Sequence, residues 1–586
     1  MAIWTAYYAN HPLWVEHAAN AMSANLQFNE ALLRQGYGSA LRSAFGNARF
    51  ILQPALLGLV WPRLLWWPHS HILVTAPALY LCLALLARFV RQRTGSGFLA
   101  IAAAGVFCSM GGLYSERNGV GVPWPDYQSM FFLSSAVLSM GLYAVETRVG
   151  WLALAGAFVS LATLARDTGS VYAAVVCAPI LLLLVAIEIR RGRGLPAVFW
   201  RLAACGIPAL PAMLLLLHKV AWFHQYYMSP NGTTLRQPLA VAAQSIWYLF
   251  SAFSGIITIV GLGLLMLSGL VLWPRRQWNA ADILVAYWPL SFFAFLLVNG
   301  YTSDITKEVM YIAPGLVCAV ATLGGGIDVQ SRTARALVAA VLVICAIGAG
   351  RSALQAFDRA SHPSADALRL KTDQRAVAEA VASVPQRVTW QSFSAYDWGT
   401  VISALTFFDF GHYQPADNRL FHNHKNYWDG NFPDMNLTEL EAYVLEQTEQ
   451  RVDLAIVLAH PDQKPTGMED YSFSIASYVA AHIQADSAWI RYREVNSFVS
   501  GPLVLYLNAR RANTGFLNDR AGPSNQIVDQ CDRDRQQTPA AVCRRVFGVS
   551  SRLELGFKSV ATVSRREGRT HVNDFTERAV TLMESR

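Results

Sequence analysis

About ten apolar blocks, each as long as a bilayer's hydrocarbon is thick, leave this chain few ways to fold. The clearest run from His71 to Arg88, Gly97 to Tyr114, Tyr127 to Val145, Gly150 to Ala165 and Gly169 to Ile187. Five more follow at Leu202 to Lys219, Ser254 to Trp273, Ala281 to Tyr301, Val309 to Ile327 and Ala336 to Gly350. A helix rises 1.5 Å per residue, so roughly 17 to 22 residues cross about 30 Å of hydrocarbon. Charged residues make up 15% of the chain, against about 25% in a soluble domain. The expected fold class is a polytopic α-helical membrane protein. The lipid bilayer is its first partner.

The net charge of +8 does not point to nucleic acid, because the cations sit in short turns between spans. Arg88, Arg91, Arg93, Arg190, Arg191, Arg193, Arg275, Arg276, Arg332 and Arg335 fall in alternate turns. By the positive-inside rule those turns are cytoplasmic. Ser115 to Pro125, Lys219 to Phe253, Thr302 to Glu308 and everything after Arg351 are then extracytoplasmic, which predicts a multi-pass protein of the cell (inner) membrane. Cys82, Cys108, Cys177, Cys205, Cys318 and Cys345 lie within spans at no metal-ligand spacing and read as small packing residues. Cys531 and Cys543 are the only pair placed to form a disulfide.

Residues 1–70 are expected to be an external loop with interfacial helices. With an even number of spans, an external C-terminus needs an external N-terminus, and nothing in Met1 to Arg49 would carry the segment across; a missing upstream helix is the expected explanation. Phe50 to Trp67 reads either as a span or as a Trp-rich interfacial helix. Gln53, Pro54, Pro62 and Arg63 within it favour the second.

From residue 351 to 511 the composition becomes that of a folded extracytoplasmic α/β domain. A helix carrying Val377 and Val381 ends near Pro385, and a strand is expected over Arg387 to Trp390. A second helix carries Leu440 and Val444. Asp453 to Ala459 is a buried strand by its continuous apolar run, and Trp489 to Glu494 with Pro502 to Leu507 forms a hairpin around Ser500-Gly501. Residues 512–586 are polar and aperiodic and are expected to be a disordered tail. The sequons at Asn231 and Asn436 read as chance matches.

The spans are almost free of ionisable groups, whereas charged and aromatic residues crowd the predicted external face. Among them are Glu16 and His17, Arg49, Glu116, Arg117 and Asp126, Arg166 and Asp167, Lys219, and Asp304, Lys307 and Glu308. Carboxylates that can deprotonate a hydroxyl and cations that can hold a phosphate suit an enzyme acting on a lipid-borne phosphate. Each residue also has a plainer reading. Glu16 can be a solvated surface acid, Asp126 a helix cap, and Lys307 an interfacial anchor. Arg166 and Asp167, adjacent in a tight turn, are expected to pair with each other. Trp222, Tyr226 and Tyr227 read as membrane belt.

The order of external loop, interfacial Pro helix, Arg-rich turn and Pro-Asp opening a span resembles the GT-C superfamily of polytopic glycosyltransferases. The nearest branches are the protein O-mannosyltransferases and the lipid A aminoarabinose transferases. The likeness covers roughly residues 10 to 350. In Trp14-Val15-Glu16-His17, Val15 stands where the family carries Asp, and Glu16 keeps the second acid. Gln53-Pro54 stands at the family's Lys-Pro or His-Pro, so Arg49 is left to supply the cation. Val122-Pro123-Trp124-Pro125-Asp126 matches the second acidic position, and Lys307, Tyr311 and Pro314 resemble the late basic, aromatic and proline signature.

The resemblance implies a sugar transferred from a polyprenyl-phosphate carrier to an acceptor, with Glu16 and Asp126 as catalytic acids and Arg49 and Lys307 at the phosphate. His17, Gln53, Glu116, Arg117 and Tyr311 are possible substrate contacts. No cofactor is expected, and His and Cys show no metal-ligand spacing; a divalent ion between carboxylate and phosphate is left open. A flippase for the same lipid-linked sugars, or a non-catalytic protein whose outer domain binds a partner, are the alternatives.

Overall fold

The computed structural model describes residues 1–13, 20–47, 50–116, 119–219, 281, 284, 287–291, 311, 314–315, 317–318, 332–384, 388–394, 398–412, 434–465, 468–497 and 500–511. Four described helices are long and apolar enough to cross a membrane: α5 (Ile72–Thr94), α7 (Pro125–Glu146), α9 (Gly169–Arg190) and α10 (Leu195–His218). Before them stand α1 (Ala2–Asn10), α2 (Asn20–Gln35), α3 (Tyr37–Asn47) and α4 (Leu52–Val60). The shorter apolar helices α6 (Gly97–Cys108) and α8 (Gly150–Ala165) pack between the long ones, and α11 (Arg332–Ser361) follows. The expected spans 254–273, 281–301 and 309–327 lie largely outside the described residues.

Boundaries moved where a local signal outweighed hydropathy. The block expected over Gly97 to Tyr114 stops as an α-helix at Cys108 and closes in a 3-10 turn, Gly111–Tyr114. Its 12 residues rise about 18 Å. At the other extreme, α10 starts at Leu195 rather than Leu202 because Pro196 suits a helix's first turn. The last block does not stop at Gly350. Nothing breaks the helix before Pro363, so α11 runs 30 residues to Ser361 and leads without interruption towards the C-terminal domain. The Phe50 to Trp67 segment is not one helix: α4 has nine residues, about 14 Å, too short to span, and a 3-10 turn follows at Pro62–Trp66.

Helix α7 is the axis of the bundle, buried on every side, with Phe131, Ala136, Leu142 and Tyr143 inside the main core. Small residues let its neighbours approach it closely. Ser135 and Ser139 return their hydroxyls to the carbonyls of Phe131 and Ser135, each at 2.7 Å, and Gly141 lies under the Phe89 ring. Short turns after Thr94, Glu146 and Arg190 gather the arginine-bearing helix ends at one end of the bundle. There Arg88 grips Glu146 at 2.9 Å and lies 4.7 Å from the centre of the Trp151 ring. None of the six cysteines in the spans forms a disulfide, and five are buried. Cys531 and Cys543 lie outside the described residues.

The C-terminal domain is a four-stranded sheet in the order β1-β2-β4-β3, flanked by helices. Its strands are β1 (Trp390–Ser392), β2 (Leu454–Leu458), β3 (Trp489–Ser497) and β4 (Gly501–Asn508). Its helices are α12 (Ala365–Ala382), α13 (Trp398–Phe408), α14 (Leu437–Arg451) and α15 (Asp470–Ala485). Strand β2 is buried throughout, running parallel to β1 and antiparallel to β4. The hairpin turns at Gly501, whose φ of 71° suits glycine. The first strand lies three residues later than expected; Trp390 to Ser392 pair with Leu454 to Ile456. Asn436 is the N-cap of α14 in a capping box with Glu439.

The first residues pack as the helix α1. Trp4, Tyr7, Leu13 and Met22 are buried in the same cluster as Val377, Ile402, Ile456 and Val479 of the C-terminal domain.

Candidate active site

At the end of the bundle opposite the arginine-rich turns, the N-terminus of α7 meets the turn joining α8 to α9. Pro125 fills the first helical position, where its missing N–H costs nothing. Asp126 follows and is buried. Gly169 makes the close approach possible, since a side chain there would collide with the Ser129 hydroxyl and the Ala162 carbonyl.

Two buried ion pairs form across this junction. Asp126 pairs with Arg166, and Asp167 pairs with Lys219 at 3.1 Å. The expected Arg166–Asp167 pair therefore does not form: each residue reaches a different helix. Adjacent residues in a turn point apart, and each buried charge takes the partner that its own direction offers. Asp167 also accepts from the Thr168 amide at 2.9 Å, which fixes its carboxylate.

Beside the pairs runs a buried chain of amides. Gln128 donates to Gln53 Oε1 at 3.2 Å and is 3.1 Å from the Thr75 hydroxyl, while Gln53 donates to Asn25 at 3.4 Å. This chain links α7, α4, α5 and α2. The Ile51 amide donates to the Leu164 carbonyl at 2.9 Å, which ties the segment bearing Gln53 to the one bearing Arg166. Tyr311 is buried, donates to the Asp126 backbone carbonyl at 3.3 Å and lies edge-on to Tyr172, 4.8 Å between ring centres. Gln128 Oε1, Ser129 Oγ, Thr163 Oγ1 and Thr168 Oγ1 are buried with no hydrogen-bond partner among the described residues. Such unpaired buried polar atoms are rare in a folded protein, and four of them gather at this junction.

Of the sequence-derived site residues, Asp126, Gln53 and Tyr311 come together here. Glu116 stands apart: both its oxygens accept from Arg359 at the end of α11, at 2.9 and 3.1 Å, latching the loop before α7 to that helix. Glu16, His17, Arg49, Arg117 and Lys307 lie outside the described residues, as do Trp222, Tyr226 and Tyr227. Sequence reasoning did not single out Arg166, Asp167 and Lys219 as site residues. The signal was present, since charged residues flanking apolar blocks of 16 and 22 residues are costly unless they are paired. Gln128 was missed outright, because one amide in an apolar helix gives no periodic signal. Among the described residues no group of three or more His, Cys, Asp or Glu side chains could hold a metal ion.

A helical bundle with polar side chains gathered at one end and a small α/β domain in the C-terminal part is a fold that this chain shares with a solved structure. Its likeness extends over nearly the whole chain to ArnT from Cupriavidus metallidurans bound to undecaprenyl phosphate: TM-score 0.53 at 10% identity, covering 89% of this chain and 97% of that one. The apo state of that ArnT gives 0.48 at 12% identity over 87% and 96%. The apo oligosaccharyltransferase of Archaeoglobus fulgidus gives 0.44 at 12% over 91% and 80%. No protein-family model and no curated protein sequence matches the chain. At such identity the likeness is one of fold.

Proposed function

We propose that this protein is a membrane glycosyltransferase that moves a sugar from a polyprenyl-phosphate carrier to an acceptor hydroxyl on the extracytoplasmic side. The observation that carries the reading is the pair of buried carboxylate–cation contacts, Asp126–Arg166 and Asp167–Lys219, at the bundle end away from the arginine-rich turns. The fold shared with an ArnT bound to undecaprenyl phosphate supports the carrier. The positive-inside rule supports the side.

In the transfer, the acceptor oxygen attacks the anomeric carbon as the carbon–oxygen bond to phosphate breaks, with inversion. The phosphate leaves with the electron pair and the hydroxyl proton passes to a carboxylate, Glu16 first and Asp126 second. Arg49 and Lys307 receive the departing phosphate, and Arg166 and Lys219 add positive charge on the Asp126 side. An Arg166 that turns towards the phosphate as its charge grows frees Asp126 at the moment a base is needed. Gln53, Gln128 and Tyr311 hold the pocket's shape, His17 and Arg117 contact substrate, and Glu116 acts through its latch to Arg359. As written, the transfer needs no cofactor. In the four long apolar helices Asp, Glu, Lys and Arg lie within about two turns of an end, which disfavours a flippase with a charged path through mid-membrane.

The test is transfer in reconstituted liposomes supplied with radiolabelled polyprenyl-phosphate sugars and a membrane extract as acceptor. Label should leave the carrier for a new product, and Glu16→Gln combined with Asp126→Asn should slow transfer by at least about 100-fold. Intact carrier throughout would sink the enzyme reading; unimpaired transfer by the double variant would sink the residue assignment.

A further inference from the structure

The turn between α9 and α10 carries more positive charge than its structure needs. Glu188, buried near the end of α9, binds three guanidiniums: Arg191 Nη1 at 3.0 Å, Arg193 Nε at 2.8 Å and Arg201 Nε at 3.2 Å. One carboxylate neutralises one of them, so the cluster keeps a charge of about +2. Each guanidinium has five N–H donors in a fixed fork. The side chains of Arg191 and Arg193 remain 42% and 38% exposed, so part of each guanidinium faces the surroundings while Glu188 accepts from Arg191 and pairs by charge with Arg193. The tight turn at Gly192, φ 73°, brings the two arginines to the same carboxylate. Next to them the first turns of α10 present Phe199 and Trp200, both about two-thirds exposed, and Trp favours the membrane–water interface.

From this juxtaposition of paired cations and exposed aromatic surface, we infer that the α9–α10 turn is a binding site for the phosphate of an anionic phospholipid. The guanidinium forks take the headgroup phosphate bidentately, and the acyl chains lie along Phe199 and Trp200. The ligand is a membrane lipid rather than free phosphate because the exposed Phe199 and Trp200 immediately precede Arg201 of the same cationic cluster. The site is separate from the proposed transfer chemistry, and its test does not depend on it.

The experiment uses the full chain in nanodiscs of phosphatidylcholine alone, and of phosphatidylcholine with an equal amount of phosphatidylglycerol. Lipid retained after transfer to detergent is counted by native mass spectrometry, and the melting temperature is recorded. The wild type should keep phosphatidylglycerol and melt higher in its presence. Arg191→Gln with Arg193→Gln should weaken retention about 30-fold, whereas Arg91→Gln with Arg93→Gln, at the neighbouring arginine turn, should leave it unchanged. If the double variant does not fold in phosphatidylcholine, the two single variants carry the comparison. Equal loss in both arginine pairs, or no loss in either, would overturn the site; a shift reproduced by inorganic phosphate in phosphatidylcholine alone would overturn the lipid as ligand.

Discussion

Arg166 shows what one residue's direction decides. It stands beside Asp167 in the chain and reaches Asp126 on α7, leaving Asp167 to Lys219. Lys371 shows the same at a buried amine. It is 4% exposed, its Nζ lies 4.8 Å from the centre of the Tyr8 ring, and no hydrogen-bond acceptor among the described residues reaches it. Burial pulls its pKa down from 10.5 to about 8, against the opposing pull of the Asp409 carboxylate. A lysine whose pKa falls on folding is destabilising while charged: between pH 8 and 10.5 the unfolded chain binds more protons, so stability rises with pH across that window. Lys371→Met should therefore raise stability at pH 7, by on the order of 3 kcal/mol, and flatten that rise. Melting temperatures of both proteins across pH 7 to 10.5 check it, and a parallel rise in both would refute it. Neither feature was legible in the sequence, which gives a residue's type but not the direction or surroundings of its side chain.

Elements were far more legible. The blocks expected at Gly150 to Ala165 and Gly169 to Ile187 appear as α8 and α9 almost residue for residue, because a run of apolar side chains ending at Arg, Asp or Gly fixes both length and limits. Strand β2 was equally plain. The helix α13 was not found, since a short apolar stretch cannot be told from a buried strand by pattern alone. What holds neighbouring helices together is a matter of single small residues. At Gly156 of α8 a methyl group would collide with the backbone carbonyl of Cys205 on α10, while Gly206 on α10 faces open space. Gly156→Ala should push the two helices apart and cost about 1–3 kcal/mol, whereas Gly206→Ala should be neutral or mildly stabilising. Thermal stability in detergent separates them; equal melting temperatures would mean that the α8–α10 contact does not matter.

At the scale of the whole molecule, the N-terminal segment fastens the C-terminal domain to the bundle. Trp4 donates to the Pro68 carbonyl at 3.3 Å, Tyr8 to Asp409 at 2.6 Å, and Gln374 holds Leu13 by both its N–H and its carbonyl, each at 3.0 Å. Trp4 is fully buried in the C-terminal domain's core. Trp4→Ala should cost about 3–5 kcal/mol and let limited proteolysis release the C-terminal domain at concentrations that leave the wild type whole; unchanged cleavage would refute a fastening role. The sequence by itself determined that the chain belongs in a membrane, which ends of its helices carry arginine, and that an α/β domain follows them. Those properties depend on hydropathy and period, which are local sums over neighbouring residues. Only the tertiary structure decided that residues 1–13 complete a domain begun at residue 365, and that Asp126, Arg166, Asp167 and Lys219 share one junction. Such contacts join residues about 40 to 400 apart in the chain, and their geometry follows from how whole helices pack, which no local window contains.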